Sequence, residues 1–321
     1  VRMVPIRVWR ISARNACRCI EMAMIEILVT GCRGQVGTEL MRIGEGVGHR
    51  MIGHDLDTVD ICSAEQVARM LDDEQPSVLI NAAAFTAVDR AEEARQEAFA
   101  ANRDGPAELA EACAARQIPL LHISTDFVFD GQKATPYSED DPMQPLSVYG
   151  QSKAQGEAAV RTACAHHVIL RVAWVFGAHG HNFLKTMLRL ARERETLRVV
   201  ADQFGGPTPA DDIASTLLRI AEQVELRGLA MPWGTYHYCG KPGTSWHGFT
   251  EAIVADASGR GQLRVKRVEA IGTGDYPLPA CRPANSMLDC SRIQRVFGIE
   301  QPDWRAGLSR MLDTLETPGR D

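Results

Sequence analysis

The run Ile25-Glu26-Ile27-Leu28-Val29-Thr30 passes directly into Gly31-Cys32-Arg33-Gly34-Gln35-Val36-Gly37 and then into a helix-like Thr38 to Ile43; no other segment constrains the fold as much. A short apolar strand, a glycine turn and a helix make one βα unit. Glycines there let the backbone bend sharply and approach a pyrophosphate, whose charge is favoured at a helix N-terminus. The spacing is Gly-x-x-Gly-x-x-Gly, not the commoner Gly-x-Gly-x-x-Gly, and a glycine turn alone is weak evidence because any tight βα connection accommodates glycine. Its weight comes from opening an alternation. His49 to Gly53 reads as a second strand ending at His54-Asp55, Ala64 to Leu71 as a helix and Val78 to Asn81 as a third strand. Gln96 to Arg116 reads as one long helix, Pro119 to Ile123 as a buried strand and Val168 to Val172 as another. Alternating strands and helices predict an α/β fold, a Rossmann-like doubly wound parallel sheet covered on both faces. Ligands of such sheets bind at the carboxyl ends of the strands, where Gly31, Ala82, Ser124 and Trp174 fall.

A second constellation lies in the same predicted crevice. Ser124-Thr125-Asp126 ends a strand, and Tyr149-Gly150-Gln151-Ser152-Lys153 follows at short distance. On a helix, positions i and i+4 share a face, so Lys153 can sit beside the Tyr149 phenol. A phenol titrates near roughly 10, and a neighbouring cation favours the phenolate, moving the proton toward transfer near neutral pH. Thr125 could hold the substrate oxygen while that proton moves. The bland alternative is a packed Tyr149 and a solvated Lys153. With five lysines and five tyrosines in 321 residues, about 0.08 such pairs are expected by random placement, which favours function only moderately.

The Thr-Gly-x-x-Gly-x-x-Gly turn with Tyr-x-x-x-Lys resembles the extended short-chain dehydrogenase/reductase superfamily. Further runs narrow the resemblance: Asn81-Ala82-Ala83-Ala84-Phe85-Thr86-Ala87-Val88-Asp89, Ser124 to Gly131, Pro145 to Gly150, Arg171 to Phe176, Asn182-Phe183, Asp202 to Thr208 and Arg282-Pro283-Ala284-Asn285-Ser286. Together, from about Met24 to about Leu315, they are similar to the dTDP-4-dehydrorhamnose reductase family. The resemblance implies reduction of the carbon-4 ketone of dTDP-4-dehydro-β-L-rhamnose by a hydride from NADPH or NADH. It implies Tyr149 as proton donor, Lys153 as its tuner and nicotinamide-ribose ligand, and Thr125 as support for the reacting oxygen. Cofactor contacts implied with these are Gly31, Arg33, Gly34, Gln35, Val36, Gly37, Asp55, Asp60, Ile61, Ala82, Ala83, Ala84, Phe85 and Thr86. Thr125, Asp126, Trp174, Asn182, Arg282 and Asn285 are carried toward the nucleotide sugar.

Several of these have plain structural readings. Trp174 offers a flat face to a ring but is equally a core tryptophan. Asn182 precedes a helix it can cap. Asp55 can accept from an adenosine ribose and would repel a 2′-phosphate, whereas Arg33 could attract one or be a solvated surface arginine. Family members that use both cofactors would reconcile the pair. Some members dimerise around magnesium held by glutamates. Here Glu39 and Asp211 match two positions and Ser291 stands at the third, so no structural metal is expected. A homodimer remains the assembly the resemblance raises.

Composition narrows the class further. A net charge of −6 with both signs spread along the chain leaves no footprint for nucleic acid, and no apolar run approaches the roughly 20 residues of a membrane span. Nine cysteines without zinc-like spacing, Cys17-x-Cys19 being the nearest pair, predict reduced residues in a cytoplasmic protein. Residues 1–23, with Arg2, Arg7, Arg10, Arg14 and Arg18, stand outside the resemblance; a mis-assigned translation start is the preferred reading, with a surface arm second. Residues 24–176 are expected to form the cofactor domain, with roughly 211–240 returning to it, and 177–210 with 241–321 a smaller α/β substrate domain. The rivals are a non-catalytic nucleotide-binding regulatory subunit and a reductase or epimerase of another nucleotide sugar. Joint retention of Thr125, Tyr149 and Lys153 argues against the first.

Overall fold

The computed structural model describes residues 24–316; segment 1–23, with its expected translation-start origin, lies outside the described residues. The first part of the chain alternates: β1 (Glu26–Thr30), α1 (Gln35–Gly46), β2 (Arg50–His54), α2 (Ala64–Glu74), β3 (Val78–Asn81), α3 (Val88–Glu93), α4 (Arg95–Phe99), α5 (Gly105–Arg116), β4 (Leu120–Thr125), α6 (Val148–Ala163) and β5 (His167–Val172). The second part comprises β6 (Val175–Phe176), α7 (Phe183–Glu193), β7 (Thr196–Val200), β8 (Phe204–Gly205), β9 (Thr208–Pro209), α8 (Ala210–Arg227), β10 (Gly234–Tyr238), β11 (Thr244–Ser245), α9 (Trp246–Ser258), β12 (Arg267–Ile271), α10 (Ser291–Phe297) and α11 (Trp304–Glu316).

Six strands form one parallel sheet in the order β2-β1-β3-β4-β5-β10. Every residue of β3 and β5 is buried, as strands covered on both faces require. On one face α1 and α8 bury Leu40, Ile213 and Leu217 against Val29, Ile80 and Leu170. On the other, α2, α5 and α6 bury Val67, Leu71, Leu109, Cys113 and Val160 against Leu28, Leu79 and Ile169. The chain leaves β1 toward β2 on one side and crosses to β3 on the other, so a crevice opens at the carboxyl ends of β1 and β3.

A separate core lies beyond β5. There α7, α9 and α11 enclose Phe176, Leu184, Phe249, Ile253, Trp304 and Leu308 beside the parallel pair β7 and β12. The chain does not divide once. Residues of α8 and β10 join the large sheet's core, as do Leu288, Ile293 and Phe297.

The single helix expected from Gln96 to Arg116 is interrupted: a π turn at Ala100–Asp104 separates α4 from α5. The extra residue in that turn aims the buried Asn102 inward. Its Oδ1 accepts from the Phe85 N–H at 2.8 Å, and its Nδ2 donates to the Phe85 carbonyl and to Ser152 Oγ at 3.0 Å each. Pro106 then removes a backbone donor at the start of α5, which makes continuous α geometry harder to keep.

Candidate active site

The glycine turn is built for close approach. Gly31 has φ +73°, and a Cβ there would stand 2.6 Å from the Ala83 backbone; one at Gly37 would stand 2.0 Å from the Gly31 carbonyl. Gly34 heads α1 with no side-chain cap, leaving the first-turn N–H groups directed at the crevice. A dinucleotide pyrophosphate fits this cradle. The adjoining cavity of about 280 Å³ is lined by Gly31, Gly34, Asp55, Asp60, Ile61, Ala82, Ala83 and Ala84. Asp55 is tied into the turn: its carboxylate accepts from the Arg33 N–H at 3.0 Å and the Leu56 N–H at 2.9 Å. The Arg33 guanidinium is exposed and pairs with Asp57 at 2.7 Å. Phe85 is held through its backbone by Asn102.

From the same turn a cleft of about 1300 Å³ runs over the ends of β4 and β5 toward β7; Gln35, Val36, Thr86, Thr125, Asp126, Tyr149, Lys153, Trp174, Asn182 and Arg282 line it. Helix α6 starts at Ser147, whose Oγ accepts from the Gly150 N–H at 3.1 Å. A Cβ on Gly150 would meet the Phe127 carbonyl at 2.2 Å, so only glycine lets this helix sit directly on the turn after β4. That contact carries Tyr149 to Thr125. The Thr125 hydroxyl donates to Asp126 Oδ1 at 2.9 Å and accepts from the Phe127 N–H at 3.2 Å.

Burial governs the titration of this group. It pushes Tyr149 up to about 12, with the Thr125 hydroxyl opposing and the Asp126 charge reinforcing. It pulls Lys153 down to about 8, against Glu157, and raises Asp126 to about 6 against the Ser286 and Thr125 hydroxyls. The lowering expected from a neighbouring cation is not what the fold produces: loss of hydration raises the phenol's pKa, and the charge acting on it is that of Asp126. Lys153 finds its partners on β4: its Nζ donates to the Ile123 carbonyl at 2.7 Å and lies 3.4 Å from His122 Nε2.

The remaining site residues divide. Asn182 caps α7 through the Lys185 N–H at 3.0 Å and also donates to Gln35 Oε1 at 2.9 Å, tying the glycine turn to the second core. Arg282 makes a two-pronged pair with Asp89, 3.0 and 2.7 Å. Trp174 adopts φ +46°, an outlier for a bulky residue, and stacks on Trp246 with centroids 3.5 Å apart while donating to Ser286 Oγ. Asn285 spends its side chain on the Lys133 and Thr135 carbonyls and the Met287 N–H, fastening one loop to another. Asn81, His122 and Asn102 were missed as site residues. The available signal was a polar side chain inside an otherwise apolar strand or helix, as in Leu120-Leu121-His122-Ile123.

Glu39 pairs with Arg42 at 2.9 Å and His179 at 3.5 Å, and Asp211 with Arg310 at 3.1 Å, so both carboxylates are neutralised by cations of this chain. The seven described cysteines are free. Among the described residues no helix is long and apolar enough to cross a membrane.

A parallel sheet with a glycine turn at its switch point and a Tyr-x-x-x-Lys helix laid over its fourth strand defines the extended short-chain dehydrogenase/reductase class. Within it, the family described as RmlD substrate binding domain matches residues 25–317, and the chain belongs to that family. It is 44% identical over 290 residues to a dTDP-4-dehydrorhamnose reductase of Aggregatibacter actinomycetemcomitans, covering 90% of this chain and 98% of the relative. It is 45% identical over 286 residues to one of Burkholderia thailandensis, covering 88% and 96%. The crystal structure of the Bacillus anthracis dTDP-4-dehydrorhamnose reductase in complex with NADP superposes with a TM-score of 0.84 at 31% identity, covering 91% of this chain and all of that one.

Proposed function

We propose that this chain reduces the carbon-4 ketone of dTDP-4-dehydro-β-L-rhamnose to dTDP-L-rhamnose. The observation that carries the reading is the convergence of Thr125, Tyr149 and Lys153 at one end of a cleft whose other wall is the glycine turn. NADPH or NADH supplies the hydride when bound in the cradle at α1. Everything else falls to the chain. Hydride addition leaves negative charge on the ketone oxygen, which the Thr125 hydroxyl is placed to support and the Tyr149 phenol to protonate. Because burial holds the phenol protonated throughout the neutral range, the acid form is the resting form. Lys153 stabilises the phenolate that results and binds the nicotinamide ribose. Asp126, Trp174, Asn182, Arg282 and Asn285 form or brace the nucleotide-sugar half, with Arg282 in reach of its pyrophosphate.

We read the cofactor lobe as 24–176 with the returning segment around 211–240, and the substrate lobe as 177–210 with 241–321, the packing of Leu288 to Phe297 against the large sheet fastening one to the other. A cytoplasmic homodimer is the state we infer. The test is oxidation of NADPH by the purified protein given enzymatically made dTDP-4-dehydrorhamnose, with the product identified. dTDP-L-rhamnose supports the reading, and cofactor binding without turnover refutes it. The ratio of kcat/KM for NADPH over NADH is expected to fall in Arg33→Ala; an unchanged ratio removes Arg33 from cofactor choice.

A further inference from the structure

The partners of Asn81 leave His122 a single neutral tautomer. The Ala83 N–H donates to Asn81 Oδ1 at 3.0 Å, and the Thr30 hydroxyl donates to the same oxygen at 2.9 Å. A backbone N–H cannot accept, so the orientation of the amide is set and its Nδ2, a donor, faces His122 Nδ1 at 3.0 Å. Nδ1 therefore accepts, and the imidazole proton sits on Nε2, 3.4 Å from Lys153 Nζ. Complete burial holds His122 neutral. An ammonium at Nζ would set donor against donor. An amine presents its lone pair to Nε2–H, donates one hydrogen to the Ile123 carbonyl at 2.7 Å and keeps the other for the cleft.

We propose that His122 is a positioning residue for the proton-transfer pair, its tautomer set by Asn81 so that Nε2–H faces Lys153 and opposes, without abolishing, its charged form. The kinetic consequence rests on the reductase reading; the geometry does not. The other groups around Lys153 are accounted for. Glu157, one turn on in α6, favours the ammonium but is taken up by Arg171 of β5 at 2.9 and 2.7 Å and by Arg161 at 2.9 Å. Tyr149, one turn back, is a neutral acid, and Asp126 after β4 acts on Tyr149. His167 of β5 faces His122 and is itself held toward its neutral form by burial. With Lys153 at about 8, the choice between its two forms falls inside the working range.

Two measurements test this, the first on the NADP-saturated protein and the second at saturating NADPH. Two-bond proton–nitrogen correlation in the 15N-labelled wild type, with His122 assigned by its loss in His122→Gln, is expected to show Nε2–H and no titration through neutrality; an Nδ1–H tautomer or a titrating ring overturns the proposal. In the pH profile of kcat/KM for ketone reduction, His122→Leu removes the donor, so the ammonium persists and the alkaline limb is expected to move up by about one pH unit. Asn81→Asp accepts from Nδ1–H, reverses the tautomer and moves the limb the same way. An unmoved limb in both His122→Leu and Asn81→Asp overturns the proposal. The tautomer is read on unmutated protein and so stands if a variant fails to fold, and a wild type without reductase activity would sink the reductase reading while leaving the tautomer result intact.

Discussion

In the proposed mechanism Tyr149 is the residue on which turnover depends most directly, because its phenol is the group proposed to protonate the product. Tyr149→Phe keeps the ring and its edge contact with Phe127 but removes the proton, so kcat is expected to fall by about 10³-fold while fluorescence titration finds NADPH affinity little changed. An active Phe variant would assign the proton elsewhere. Asp126 carries a stability prediction. Its folded pKa, about 6, lies above the unfolded value, so what it contributes is fully present below the unfolded pKa and lost as pH rises through about 6. Asp126→Asn should therefore match the wild type in acid and exceed it by about 3 kcal/mol above neutrality, read from denaturant melts across pH. A difference independent of pH would mean the carboxyl is not held neutral.

Among the elements, α6 is the one whose placement the proposed chemistry needs, and two glycines set it. Gly150 seats it on the turn after β4, and Gly156 lies where a Cβ would meet the Asn102 carbonyl at 1.9 Å. Asn102 thus holds the loop at Phe85 and α6 at Ser152 with one side chain. Asn102→Ala leaves buried polar groups on both without partners and should cost about 3 kcal/mol by urea unfolding, together with a raised KM for cofactor. A stable variant with normal KM would show that the π turn is incidental. The Gly105-Pro106 step inside Gln96 to Arg116 signals a break in the sequence, whereas the π turn before it depends on a partner 17 residues away at Phe85. By contrast β3 was read at its observed bounds, since four apolar or strand-ending residues between turns leave little alternative.

On the scale of the whole molecule, the cleft exists because two cores meet around it, and Arg282 with Asp89 spans it from opposite parts of the chain. The guanidinium holds the Asp89 carboxyl below its ordinary range. Arg282→Lys keeps the charge but loses the two-pronged geometry, so KM for the nucleotide sugar is expected to rise about tenfold with kcat nearly unchanged. An equal fall in kcat would place Arg282 at the reacting centre instead.

The parallel sheet, the glycine turn and the helix that carries Tyr149 and Lys153 could be read directly from the chain, because each depends on local spacing: a strand followed by a turn, or a helical i to i+4 step. Folding decided what depends on distant partners. Lys153 turns to His122 across 31 residues, Asn285 is spent on a loop 150 residues away, and Trp174 gives one ring face to Trp246. Burial then sets the direction of the Tyr149 shift. Desolvation and long-range hydrogen bonds belong to the packed interior, and no spacing along the chain encodes them.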